Sequence, residues 1–241
     1  MSIIKQFETA KEMAVALAQL IQQKAQEKAQ RNEQLFLAIS GGNTPKLLFD
    51  LLSKQYKTTI PWNNIRFYWV DERCVAPNNK ESNYGMTKLL LFNNIEIYSS
   101  QIERIIGENE PSEEALRYSN ILSSQLPHKK LLPCFDLILL GMGDDGHTAS
   151  IFPDQLQLLQ SEKICEVSEH PISRQKRITL TPNVINNASE IIFLVNGNNK
   201  SRILREIIKK ERNYYQYPSS HIHPTYGTLT WMIDKEAAEL L

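Results

Sequence analysis

The 241-residue chain carries no net charge, because 27 Lys and Arg balance 27 Asp and Glu. That argues against a nucleic-acid partner or an anionic membrane, and leaves any anion to a few locally placed cations. Cysteine is scarce and odd in number. Cys74, Cys134 and Cys165 are widely spaced and form no C-x-x-C pair, so neither a disulfide framework nor a zinc ribbon fits. No apolar stretch reaches 18 residues, and no basic segment with an apolar core opens the chain. The expected location is therefore the cytoplasm, where the sequon Asn187-Ala-Ser189 means nothing. No repeat, low-complexity tract or Pro-, Gly- or Ser-rich linker interrupts the chain, and residues 1–241 read as one domain. A nucleophile elbow G-x-S-x-G, a Walker loop and a His-x-x-x-His pair are all missing. Neither a metal nor a cofactor is expected.

What is present concentrates in Phe135-Asp-Leu-Ile-Leu-Leu-Gly-Met-Gly-Asp-Asp-Gly-His-Thr-Ala-Ser150. An apolar run of this kind forms a buried strand. It stops at glycines that hold two carboxylates and a histidine among them. Gly141-x-Gly143-x-x-Gly146 also matches the dinucleotide fingerprint. That reading fails because Asp144 and Asp145 would face the pyrophosphate and repel it. The match also lies past the middle of the chain, with no clean strand ending in an acid about 20 residues on. A turn that carries a reactive His147 fits better.

Helical spacing predicts helices from about Glu8 to Gln30, from Pro45 through Leu52, and from about Asn83 to Leu91. Further helices are predicted over Pro111–Leu126, Pro182–Asn187 and Lys200–Lys209, with one more at the C-terminus. Strands are predicted at Leu35–Ile39, Ile65–Val70, Phe135–Leu140, Ile178–Leu180 and Ile191–Val195. The alternation predicts an α/β class: a three-layer α/β/α, Rossmann-like, mostly parallel sheet with helices on both faces. Ligands of such sheets bind beyond the carboxyl ends of the strands. Polar clusters at Ser40, Asp71 and Gly141 all follow strand ends.

Each cluster has its own chemistry. Ser40-Gly41-Gly42-Asn43-Thr44-Pro45 offers backbone N–H groups, a hydroxyl and a helix N-terminus, which suits a phosphate; the plainer alternative is a helix cap on Asn43 or Thr44. Asp71-Glu72-Arg73 supplies a forked guanidinium for phosphate or carboxylate, or else a surface ion cluster. Asp144, Asp145 and His147 can form a carboxylate-oriented general base. Arg177 and Lys200 are later cations expected at strand-to-helix positions.

Together, Ser40–Pro45, Asp71–Arg73 with Ser82-Asn83, Gly141–Ser150 followed by Phe152-Pro153, Arg177–Thr181, Gly197-x-x-Lys200 and Trp231-x-x-Asp234-x-x-Ala237 resemble the 6-phosphogluconolactonase family in motif and order. The resemblance spans nearly the whole chain. It implies hydrolysis of 6-phospho-D-glucono-1,5-lactone to 6-phosphogluconate, with a sugar-phosphate lactone as the small-molecule partner. His147 would be the base and Asp145 its orienter. Arg73 would hold either the phosphate or the developing oxyanion. The implied substrate-binding set is Ser40, Gly41, Gly42, Thr44, Asp71, Arg177 and Lys200. Related glucosamine-6-phosphate deaminases carry a glutamate five residues past the histidine, where this chain has Phe152. The expected assembly is a monomer or a weak dimer.

Overall fold

The computed structural model describes residues 2–211 and 213–241. The chain begins with β1 (Ile3–Phe7), α1 (Ala10–Gln30), β2 (Leu35–Ile39) and α2 (Asn43–Gln55). β3 (Ile65–Trp69), β4 (Asp71–Arg73), α3 (Asn83–Leu90), β5 (Ile102–Glu103) and α4 (Pro111–Gln125) follow. Next come β6 (His128–Lys129), β7 (Leu132–Pro133), β8 (Leu137–Gly141), β9 (Cys165–Glu169) and β10 (Lys176–Leu180). α5 (Pro182–Ile185), β11 (Glu190–Val195), α6 (Ser201–Lys209) and β12 (Thr228–Asp234) complete the order. No helix among the described residues is long and apolar enough to cross a membrane.

Seven strands form the central sheet in the order β1-β12-β11-β8-β2-β3-β5, and every pairing in it is parallel. Helices flank it, as the α/β reading requires. The central strands are continuous apolar runs because both faces are covered. Leu137, Ile138 and Leu140 on β8 and Ala38 on β2 are fully buried. β8 and β2 are neighbours, yet the chain leaves β2 for β3 on one side and β8 for β11 on the other. Such a switch point opens a crevice at the carboxyl ends of the two strands. Residues 40–44 and 142–147 lie at its two lips.

A second, antiparallel sheet of order β4-β10-β9 stands beside the first. Val70 is the pivot: its N–H donates to Ile39 O at 3.0 Å, and its carbonyl accepts Leu180 N at 2.7 Å. Asp71–Arg73 is thus itself a strand, not the polar tail of one, and Arg177 lies within β10 rather than at a strand-to-helix junction. Arg73 and Arg177 are direct cross-strand partners.

Two other expectations need correction, and one strand was not predicted. The C-terminal segment is the strand β12 followed by turns, not a helix, because Leu229–Asp234 are all buried between β11 and β1. β1 escaped the sequence reading because it is an exposed edge strand with no apolar alternation, Ile3 and Ile4 included. α2 begins at Asn43, before Pro45, and is capped by Gly42 at φ 102° with no side-chain bond from Asn43 or Thr44.

Glu72, 2% exposed, clasps the neck of loop 74–82. Its carboxylate accepts Arg73 N, Asn83 N and Tyr84 N, each at 2.8 Å, and Ser82 Oγ at 3.1 Å. Burial pushes its pKa up against those backbone bonds, which pull it down. Removing it orphans three buried N–H groups. Glu72→Ala should cost about 2–4 kcal/mol in urea denaturation; a loss under about 1 kcal/mol would contradict the clasp.

Candidate active site

The crevice is lined by the Ser40–Pro45 loop, Asp71, Arg73, Asn83, Gly141–Gly143, His147, Ala149, Arg177 and Lys200. All ten residues expected at the site fall on or beside it, nine as lining groups and Asp145 through its bond to His147.

At the centre, His147 Nδ1 lies 2.6 Å from Asp145 Oδ1, and the same oxygen accepts His147 N at 3.0 Å. Two bonds from one carboxylate fix the ring and leave Nε2 as the basic nitrogen. Burial raises the Asp145 pKa, but the hydrogen bond and charge of His147 outweigh it and hold the carboxyl below its usual value. Asp145 is therefore ionised at neutral pH. Asp144 is exposed, and its charge raises the Lys200 pKa. Phe152, buried, stands 4.8 Å from the imidazole and makes its apolar wall. On Phe152 also rest the His170 ring at 5.2 Å and the Arg177 guanidinium at 5.5 Å.

Arg73, Arg177 and Lys200 line the same crevice. Arg73 Nη1 donates to the Glu81 carbonyl at 2.5 Å, and Lys200 Nζ to the Met142 carbonyl at 2.6 Å. The Nε atoms of Arg73 and Arg177 are buried with no hydrogen-bond partner. Burial lowers the Arg177 pKa; Asp71 opposes this and Arg73 adds to it. Like charges directly opposite on an antiparallel ladder destabilise it unless an anion separates them. Such an arrangement has the charge to take an anion.

The supporting polar groups are mostly spoken for. Ser40 Oγ donates to Leu139 O at 2.8 Å, tying β2 to β8, so this residue offers the cleft its backbone. Thr44 Oγ1 donates to the side chain of Asn196. Asp71 Oδ2 accepts Ser150 Oγ at 2.6 Å, which makes Ser150 a holder of Asp71 and no nucleophile. Asp234, buried at the end of β12, accepts Gly197 N at 3.0 Å and so sets the turn that presents Lys200. Asn196 and Ser150 were not expected as supports, although Asn196 follows a strand end and Ser150 lies three residues from His147. Among the described residues, no three His, Cys, Asp or Glu side chains gather as a metal site would need.

Gly143 has a specific reason to be glycine. A Cβ there would lie 2.2 Å from His147 Nδ1 and 2.7 Å from Asp145 Oδ1. Gly143→Ala should split this pair and lower kcat by about 10², with the melting temperature within a few degrees. Wild-type kcat in that variant would show that the pair is not needed.

Residues 8–231 match the family model described as glucosamine-6-phosphate isomerases/6-phosphogluconolactonase. A 6-phosphogluconolactonase of Haemophilus influenzae is 42% identical over 214 residues, covering 88% of this chain and 90% of the relative. A crystal structure of a protein designated devB superposes with a TM-score of 0.94 at 40% identity, over 99% of both chains. The 6-phosphogluconolactonase of Trypanosoma brucei superposes with a TM-score of 0.88 at 26% identity, over 100% of this chain and 99% of that one. With this cleft and these relatives, the chain belongs to the glucosamine-6-phosphate isomerase/6-phosphogluconolactonase family.

Proposed function

We propose that the cleft carries out lactone hydrolysis through His147 and holds its substrate by the phosphate. The activity is that of the curated relatives: 6-phospho-D-glucono-1,5-lactone and water give 6-phosphogluconate, a step of the pentose phosphate pathway. The observation that carries the mechanism is an imidazole anchored at Nδ1 by an ionised Asp145, in one crevice with Arg73, Arg177 and Lys200.

A lactone carbonyl is already electrophilic, so no covalent enzyme nucleophile is required. Water attacks C1 while His147 Nε2 takes its proton. The carbonyl oxygen becomes an oxyanion, and the imidazolium is stabilised by Asp145. The C1–ring-oxygen bond then breaks, and His147 returns the proton to the departing oxygen, restoring the base. Gly42, Thr44, Arg177 and Lys200 grip the phosphate, Gly41 shapes their loop, and Arg73 serves the phosphate or the oxyanion. The Thr44 hydroxyl turns from Asn196 to donate to a phosphate oxygen. Anchoring the remote phosphate places C1 against the water, and that fixed geometry supplies much of the rate. Phe152, where the deaminases carry a glutamate, leaves this cleft without that acid for ring opening. β1 and β12 pair in one sheet, which supports a single domain.

The test is a pH-stat assay on freshly made lactone beside ammonia release from glucosamine 6-phosphate. Acid release alone is expected, and His147→Ala should lower kcat by about 10² or more. Ammonia release, or near-wild-type turnover of the variant, would overturn the reading. Burial lowers the Lys200 pKa from 10.5, against Asp144, Asp145 and Asp234, which raise it. The ammonium therefore loses its charge at a lower pH than a free lysine. Affinity for 6-phosphogluconate should weaken as the pH rises through a range below that of a free lysine, and Lys200→Ala should remove that decline. An unchanged decline would take Lys200 out of the phosphate site.

A further inference from the structure

The turn that carries His147 is held from behind by a segment far away in sequence. Tyr214–Gln216 and Pro218–His221 form two short 3-10 helices after α6. Ser219, fully buried in the second, donates twice to one acceptor: its N–H at 3.1 Å and its hydroxyl at 2.8 Å both reach the carbonyl of Gly146. Tyr217 covers the same residue, since a Cβ on Gly146 would meet its ring carbons at 2.5–2.8 Å. Tyr217 is in turn fixed by its hydroxyl, which donates to Glu206 on α6 at 2.6 Å.

The Gly146 carbonyl and the His147 N–H belong to one planar peptide unit. Fixing the carbonyl therefore fixes the direction of the N–H. That N–H donates to Asp145 Oδ1, and the same oxygen bonds the imidazole. Gly146 sits at φ 81°, a conformation open to glycine. A flip would point the N–H away from Asp145 and release the carboxylate from the ring. Two donors on one buried carbonyl oppose that flip.

We propose that Ser219 is a positioning residue for catalysis. It locks the Gly146–His147 peptide plane, and through that plane keeps Asp145 and the imidazole in register. The proposal rests on the reading of His147 as the base.

Two variants test it, Ser219→Ala and the near-isosteric Ser219→Cys, which keeps only a weak donor. kcat and KM for the lactone are measured in each, alone and in a His147→Ala background. Ser219→Ala should lower kcat by about tenfold, on the scale expected for a misplaced catalytic group. KM should stay within about twofold, because the phosphate grip is untouched. Ser219→Cys, which fills the same space, should show an intermediate kcat and carries the test if the alanine variant does not fold. In the His147→Ala background neither change should lower kcat further, because the group being positioned is gone. Wild-type kcat in both single variants would overturn the proposal while leaving His147 as the base. An equal loss in both backgrounds would also overturn it, as a general effect on the fold. Full activity of His147→Ala alone would instead remove the underlying reading.

Discussion

Arg73 and Arg177 face each other across an antiparallel ladder, and their mutual repulsion is the constraint around which the cleft is organised. Charges so placed are tolerated when an anion comes between them. The fold spends little on masking them. Their Nε atoms are buried without partners, and Lys200 across the crevice leans on a backbone carbonyl. An electrically neutral chain has thus gathered three cations at one strand-end crevice. Under the proposed function, selectivity for phosphate comes from placement, not from overall charge.

The two sheets exist in this form because Val70 lets the chain leave the parallel sheet and start the antiparallel one. Asp71 and Arg73 come to the cleft through that step. Glu72 between them points the other way and fastens the loop that Arg73 reaches across. On the opposite lip, β8 delivers the His147 turn, pinned by Lys200 at Met142 and by Ser219 at Gly146. Lys200 thus ties its own turn to the one that carries His147 through the Met142 carbonyl.

The sequence was legible where contacts are local or burial is symmetric. β2 and β8 could be read because both faces are covered and the runs are apolar throughout. The Asp145–His147 pair could be read because its members are two positions apart. β1 could not, since an edge strand with exposed isoleucines has no pattern to find. Arg177 reads from sequence as a cation at a strand-to-helix position but stands inside β10, because the charged start of that strand carries no apolar signal. Ser219 lies 73 residues from Gly146, and no local signal marks a hydroxyl that will meet a distant carbonyl. The family resemblance brought the strand-end motifs together, while the structure supplied the supports beneath them.

The central claim is that this cleft recognises its ligand by the phosphate. Calorimetric titration with 6-phosphogluconate and with gluconate, side by side at moderate salt, tests it directly. The account predicts that the phosphorylated acid binds at least about 10²-fold more tightly, as expected for several charge-assisted contacts, and that added salt narrows the gap. Equal affinity for the two acids would contradict it.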